Sequence, residues 1–461
     1  MQTRKVALAA LCALAMGGAH AGQYVLQAAK WGQNQANAVA RAGGSVIYSN
    51  ADAGIAVVQS NNSNFLATAL AGGAVISGAA DMSVQWLPRE ATVNADAISP
   101  DDDRYYRTVQ WAPQSIEAPA AWAAGYTGKG VRVAVIDGGV SDAHPDLAGA
   151  VDVAASRSFV PAANATDTCR PAFNCDSGTF WHGTHVAGII AARDNTIGIV
   201  GIAPQATIIG VKALHGGSGS FGSIISALLY ASAEAHADII NMSLGAEFSR
   251  SEDGAAELRS ALNRAVNFAT SHGSLVVVSA GNSAIDFDHP TTSVCDDTTT
   301  PVTYCPAGYT VTPAESGNAI AISATGPLKF AYGATNFSRP ASYSNYGNSL
   351  VWVAAPGGDA AYPGNESCTL PTATVPTTVP CWAFDMVISL AGPAGYTWAA
   401  GTSMAAPAAS AVAALIKQRN PAATPAQLKT ALAQSATDAG KVGQDAFYGR
   451  GYINARRAVG Q

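Results

Sequence analysis

The stretch VRVAVID, residues 131–137, sets four apolar residues in succession, Val133 to Ile136, between Arg132 and Asp137. A strand with one wet face alternates apolar and polar residues, so an unbroken apolar run reads as a strand covered on both faces. Working outward, similar runs recur at 206–214, 237–244, 274–282, 318–325 and 350–357. Helical patterns lie between several of them, at 183–192, 222–235 and 256–271, and two more, 403–418 and 425–436, close the chain. The fold class is therefore α/β: a three-layer α/β/α sandwich around a mostly parallel sheet. In such sheets a ligand site forms beyond the carboxyl ends of the strands.

The chain has 461 residues, 48% of them hydrophobic and 12% charged, with a net charge of −6. That balance offers no electrostatic case for nucleic acid or an anionic membrane as partner. At the N-terminus, Arg4 and Lys5 precede an apolar run from Val6 to Met16 and an Ala19-His20-Ala21 cleavage signal. Residues 1–21 thus read as a signal peptide, and the protein as exported, extracellular or periplasmic. Residues 22–90 follow in an order close to β-α-β-β-α-β, a small α+β ferredoxin-like domain. Residues 91–103, polar and Asp-rich, read as a linker before a large domain spanning 104–461. Six cysteines remain after the leader, in local couples: Cys169 with Cys175, Cys295 with Cys305, and Cys368 with Cys381. An even count in an exported chain favours disulfides over metal ligands, and pairing by proximity is the expectation among 15 possible connectivities. The loops that hold them, about 155–180, 285–312 and 358–395, are expected to wall the site.

Four polar residues sit where that architecture converges. Asp137 closes an apolar strand, at a cost unless something pairs with it. His182 opens HGTHVAGIIAA, Asn282 ends SAGN, and Ser403 lies in GTSMAAPAAS, residues 401–410, at the head of an Ala-rich helix. Each has an ordinary structural explanation: a turn aspartate, a packed histidine, a turn amide, a helix cap. Together they supply an acid, a base, an amide donor and a nucleophile on one face of a sheet. His185, one turn beyond His182, raises zinc, but H-x-x-H here lacks the Glu of H-E-x-x-H and an obvious third ligand. No G-x-S-x-G elbow is present, which counts against an α/β-hydrolase esterase.

VAVIDGGVSDAHPDL, HGTHVAGII, GIVGIAP, NMSLG, SAGN, GTSMAAP and the ending GRGYINARRAV together resemble the subtilisin-like serine proteases, in that family's order, over about Asp103 to Val459. The resemblance implies a secreted serine endopeptidase acting on protein or peptide substrates through an acyl-enzyme. Asp137, His182 and Ser403 would form the triad and Asn282 the oxyanion hole. It also implies that residues 22–90 are an inhibitory, folding-assisting propeptide, the chain's own intramolecular inhibitor. Autocleavage is then expected between about Pro88 and Asp103, and the product reads as a monomer. Substrate would lie between Gly217, Ser218, Gly219 on one side and Ser243, Leu244, Gly245 on the other. A structural calcium ion would be held by Asp103, Asp146, the Asn195 side chain and the carbonyls of Arg193, Ile197 and Ile199. Three positions depart from the family: Gly138 where Ser or Thr is usual, Trp181 before His182, and Ala408 where His commonly follows the Pro. The first two motivate an alternative, a catalytically weakened binding protein on this scaffold. Another acyl transfer on the same triad, such as peptide ligation, is a third.

Overall fold

In the computed structural model the described residues are 22–88, 90–95, 109–160, 172–174, 176, 178–179, 181–250, 252–289, 294–296, 303–304, 309–362, 364–370 and 377–461. The leader, Asp103, Cys169, Cys175 and Cys305 lie outside them, as does the side chain of Cys295.

Residues 22–80 form β1 (Gly22–Gln27), α1 (Gln33–Arg41), β2 (Gly44–Asn50), β3 (Ile55–Ser60), α2 (Phe65–Ala71) and β4 (Ser77–Ala80). The strands make an antiparallel sheet in the order β2-β3-β1-β4. Side chains alternate along a strand, and β3 uses both faces. Ala56 and Val58 join Leu26, Trp31, Val39 and Phe65 in a small core under the two helices. Ile55, with Val25 and Ala79, packs instead into the large core beside Phe221 and Leu258.

The large sheet joins β7 (Arg132–Asp137), β8 (Arg157–Ser158), β9 (Thr207–Lys212) and β11 (Ile239–Met242) with the strands Leu275–Ser279, Ile320–Thr325 and Val351–Pro356. From Val351–Pro356 the order is Ile320–Thr325, Leu275–Ser279, β11, β7, β9, β8, and every pairing is parallel. The unbroken apolar runs now have their cause. Val133 and Val135 pack with the helices His182–Ala191 and Thr402–Arg419, while Ala134 and Ile136 pack with Phe221–Ala233 and Ala255–Ser271. The expected α/β/α sandwich is the observed one. Burying each large apolar side chain stabilises the fold by about 1.5–3 kcal/mol.

One expectation is corrected. Residues 91–103 read as a linker, but Ala91–Ala95 form a strand, β6, paired with Gly395–Ala400, which also pairs with Val387–Ala391. ATVNA does alternate apolar and polar residues, with Val93 packed against the large core, but its five residues are too short a signal beside an Asp-rich stretch; the strand Gly395–Ala400 supplies the ladder. Of the cysteine couples, Cys368–Cys381 is a disulfide with sulfurs 2.06 Å apart.

Candidate active site

Asp137 is the last residue of β7 and wholly buried. Its register partner on β9 is Lys212, also buried, whose Nζ donates to the carbonyls of Gly138 and, at 2.9 Å, Leu214. Asp137 Oδ1 accepts from Gly138 N at 2.7 Å, and both carboxylate oxygens lie within 2.9 Å of His182 Nδ1. The helix bearing His182 can come this close because residue 183 is glycine. A Cβ there would press against Gly139 O and sit 3.0 Å from Asp137 Cβ. Trp181, immediately before, adopts a left-handed backbone with φ 64°, uncommon for a bulky residue. Its indole packs over Gly392 in the turn after Val387–Ala391, so this part of the 358–395 loop lies beside the histidine.

Ser403 lies in the first turn of the helix Thr402–Arg419. Pro407, inside that helix, has no N–H for the carbonyl of Ser403, which accepts from the Ser243 hydroxyl instead. Ser403 is buried, and its Oγ donates to Ser243 O at 3.3 Å while Ser243 Oγ donates to Ser403 O at 2.7 Å. Asn282 follows the strand Leu275–Ser279. Its Oδ1 accepts from Thr402 N at 2.9 Å and Thr402 Oγ1 at 2.7 Å, which leaves Nδ2 buried without a hydrogen-bond partner. An amide held by its oxygen and presenting an unused donor suits an incoming negative charge. Asp137 and His182 are thus in contact, and Asn282 is tied to Thr402 at the start of the helix that carries Ser403.

His185 does not join them. Burial lowers its pKa to about 3, and its Nε2 lies 3.1 Å from Thr397 O. It is a neutral packing residue. Among the described residues there is no group of three or more His, Cys, Asp or Glu placed to hold a metal.

The expected substrate strands hold a segment of the chain itself. Ser83–Gln85 (β5) pairs antiparallel with Ser218–Ser220 (β10), Gly219 opposite Val84. Gly217 O accepts from Trp86 N at 2.9 Å and Leu87 N at 3.1 Å, and Gly245 N donates to Trp86 O at 2.9 Å. Trp86 is fully buried, edge-on to Phe221 at 5.0 Å, its indole N–H on Gly219 O at 2.9 Å. Leu244 is buried behind this strand.

Two carboxylates near His182 were not legible in the sequence. Glu90 Oε2 lies 3.6 Å from His182 Nε2, with the Glu90 side chain 1% exposed. A Cβ on Gly401 would stand 2.5 Å from Glu90 Oε1 and 3.2 Å from Asn282 Nδ2, so this carboxyl group sits beside the unused amide donor. Burial opposes charge on His182, but Asp137 and Glu90 on its two nitrogens outweigh it and raise its pKa well above the usual range. Asp176 is the second: its Oδ2 accepts from Gly183 N at 3.0 Å.

Asp146, expected to bind calcium, is buried, and its Oδ2 accepts from Ile199 N at 3.1 Å and Tyr396 Oη at 3.0 Å. Oδ1 has no hydrogen-bond partner, and burial raises the carboxyl pKa to about 7. The loop 193–199 wraps it: Arg193 N donates to Asp146 O at 2.7 Å, and Asn195 Oδ1 accepts from Ile197 N at 3.2 Å. A buried carboxylate oxygen lacking a donor fits a hard cation.

A parallel sheet with an Asp-His pair, a serine and an amide at its carboxyl end is the architecture of a serine hydrolase. The family profile described as the subtilase family matches residues 128–451, and the chain belongs to that family. It is 35% identical over 356 residues to subtilisin Savinase of Lederbergia lenta, covering 77% of this chain and 99% of that protein. Identity to subtilisin E of Bacillus subtilis is 34% over 376 residues, 81% of this chain and 76% of that one. In structure it is similar to the epidermin leader peptide processing serine protease of Staphylococcus aureus, with TM-score 0.71 and 21% identity over 95% of this chain and 98% of that one. The protein is accordingly a serine endopeptidase.

Proposed function

We propose that this peptidase is an exported, self-processing zymogen in which Asp137, His182 and Ser403 are the triad and Asn282 supplies the oxyanion hole. His182 takes the proton of Ser403 as the hydroxyl attacks a peptide carbonyl, and Asp137 fixes the tautomer and stabilises the imidazolium. Asn282 Nδ2 and the Ser403 N–H receive the oxyanion. The observation that carries this reading is the pair of contacts on one imidazole: Asp137 at 2.8 Å on Nδ1, with the chain's own Glu90 at 3.6 Å on Nε2. Export is supported by the N-terminal run and by the Cys368–Cys381 disulfide. No helix among the described residues is long and apolar enough to cross a membrane.

In the uncut chain residues 83–87 lie along Gly217–Gly219 and Gly245 as a substrate would, which supports the role of residues 22–90 as intramolecular inhibitor. Trp86 anchors the segment. Glu90 then stands among the catalytic groups, so the bond cut in self-processing lies between Pro88 and Ala91. A charged imidazole clamped between two carboxylates cannot act as base. A serine-directed fluorophosphonate is expected to label Ser403 in the processed enzyme and to label the uncut chain slowly. Glu90→Gln should speed labelling of the uncut chain about tenfold, the equivalent of one pKa unit on His182. A processed enzyme that takes up no label sinks the reading.

Subtilases in general bind structural calcium, and we assign Asp146 the carboxylate of such a site, with Asn195 and the carbonyls of Arg193, Ile197 and Ile199 around it. In chelator, the folded state holds Asp146 protonated up to about pH 7, against 3.8 for a free carboxyl. Stability is therefore highest below about pH 4 from this group and falls as pH rises through 7. Calcium favours the ionised form and should flatten that slope, raising Tm by several degrees at pH 8. Asp146→Asn should abolish both the slope and the calcium shift; a shift that survives the substitution places the ion elsewhere.

A further inference from the structure

The loop before His182 carries a carboxylate that the triad does not account for. Asp176 is 5% exposed, and its Oδ1 is buried with no hydrogen-bond partner. A charged oxygen in that state is costly unless the site makes use of it. Its position answers the departure at Gly138. A Cβ on residue 138 would collide with Asp176 Oδ1 and lie 3.2 Å from Asp176 Cγ. The carboxyl group of Asp176 thus fills the socket where a side chain on residue 138 would project. Meanwhile Oδ2 accepts from the backbone N–H of Gly183, the residue after His182.

We propose that Asp176 is a positioning residue of the active site, a second buried carboxylate that replaces the hydroxyl missing at Gly138, fixes the start of the His182 helix and favours the imidazolium formed during catalysis. This rests on the reading of Asp137, His182 and Ser403 as the triad. Among the described residues the groups around it are few. Asp137 ends the neighbouring strand, and Lys212 Nζ reaches Gly138 O from β9. His182 lies on the helix and Glu90 beyond the imidazole in the uncut chain. Asp142, further along the 138–142 loop, is held by Asn174 Nδ2. Burial first, and then the charge of Asp137, raise the Asp176 carboxyl to about 6, against hydrogen bonds from Thr179 and Gly183 and the charge of His182. Asp176 therefore ionises close to neutral pH. Above that point it adds a negative charge beside the Asp137–His182 pair; below it, a neutral acid remains in the socket.

The test is the pH profile of kcat/KM of the processed enzyme, with fluorophosphonate labelling of Ser403 in parallel. Wild type should show an acid limb steeper than a single ionisation. Asp176→Asn, which keeps an oxygen for Gly183 N–H, should reduce that limb to one ionisation and lower kcat about three- to tenfold above pH 7. KM should change little, because Asp176 is buried and its carboxyl group faces Gly138 and Gly183 N–H. Gly138→Ser should lower activity more than tenfold by collision with Asp176, and Asp176→Ala in the same chain should recover most of it, since the hydroxyl then has the socket. That rescue is beyond a residue that merely props a loop, and it stands even if Asp176→Asn folds poorly. If Gly138→Ser is tolerated with Asp176 in place, or if a folded Asp176→Asn keeps the wild-type profile, the proposal is overturned while normal labelling leaves the triad intact. If wild type itself takes up no label, the triad reading fails, and this one with it.

Discussion

Ser403→Ala is expected to leave the chain uncut between Pro88 and Ala91, whereas wild type loses its N-terminal unit there. Intact mass of the two purified proteins reads this directly. Ser403 is fully buried at the head of an all-but-buried helix, and its Oγ makes one hydrogen bond, 3.3 Å to Ser243 O. Removing it leaves a void the size of one hydroxyl, so Tm should hold within about two degrees and the fold should be retained. The chemistry should not survive. Loss of a triad nucleophile costs roughly 10⁴- to 10⁶-fold in rate, about 5–8 kcal/mol at the barrier. The uncut variant should also keep residues 83–87 seated in the cleft, because Trp86 and the backbone bonds to Gly217 and Gly245 hold that segment independently of Ser403. The alanine variant should therefore resist added proteases at 83–87 more than at an exposed loop. If the alanine chain is cut at the same bond as wild type, the cutting is done by another peptidase, and self-processing is refuted.

The parts legible in the sequence are those whose cause is local. The six apolar runs are legible because a strand sandwiched between helices must be apolar on both faces, as Val133/Val135 and Ala134/Ile136 are. The helix starts at His182 and Ser403 are legible because glycines and alanines mark close packing around them. What escaped depends on partners far along the chain. β6 is only five residues long, beside an Asp-rich stretch, and exists because Tyr396–Ala400 offers it a ladder. Glu90 stands in the site because residues 83–87, bound along Gly217–Gly219, feed it there. Lys212 looks like a stray charge ending an apolar run until the carbonyls of Gly138 and Leu214 gather around it. Asp176, six residues before His182 in a cysteine-bearing loop, carries no signal of its own; its meaning depends on the missing side chain of Gly138. The zinc possibility at His185 dissolves for a similar reason, since the partner facing it is a strand carbonyl, Thr397 O.

Asn282→Ala should lower kcat about 10²- to 10³-fold with little change in KM. The side chain is divided in function by its own hydrogen bonds. Oδ1 is used twice, by Thr402 N and Thr402 Oγ1, and this fixes the amide plane against the helix that carries Ser403. Nδ2 has no hydrogen-bond partner, and a Cβ on Gly401 would touch both it and the Glu90 carboxylate. A donor kept dry and unpaired in the ground state gains most when charge arrives, so its contribution is to the barrier and not to binding. Thr402→Val separates the two ends of the amide. It removes one of the two contacts to Oδ1 but leaves Nδ2, and should cost well under tenfold. Steady-state kinetics of both variants on one peptide substrate decides the matter. A large rise in KM for Asn282→Ala with kcat unchanged would assign the residue to substrate binding. Equal losses for the two variants would mean that Asn282 serves only to brace the Ser403 helix, and the oxyanion would then have to be stabilised by the Ser403 N–H and the helix N-terminus alone.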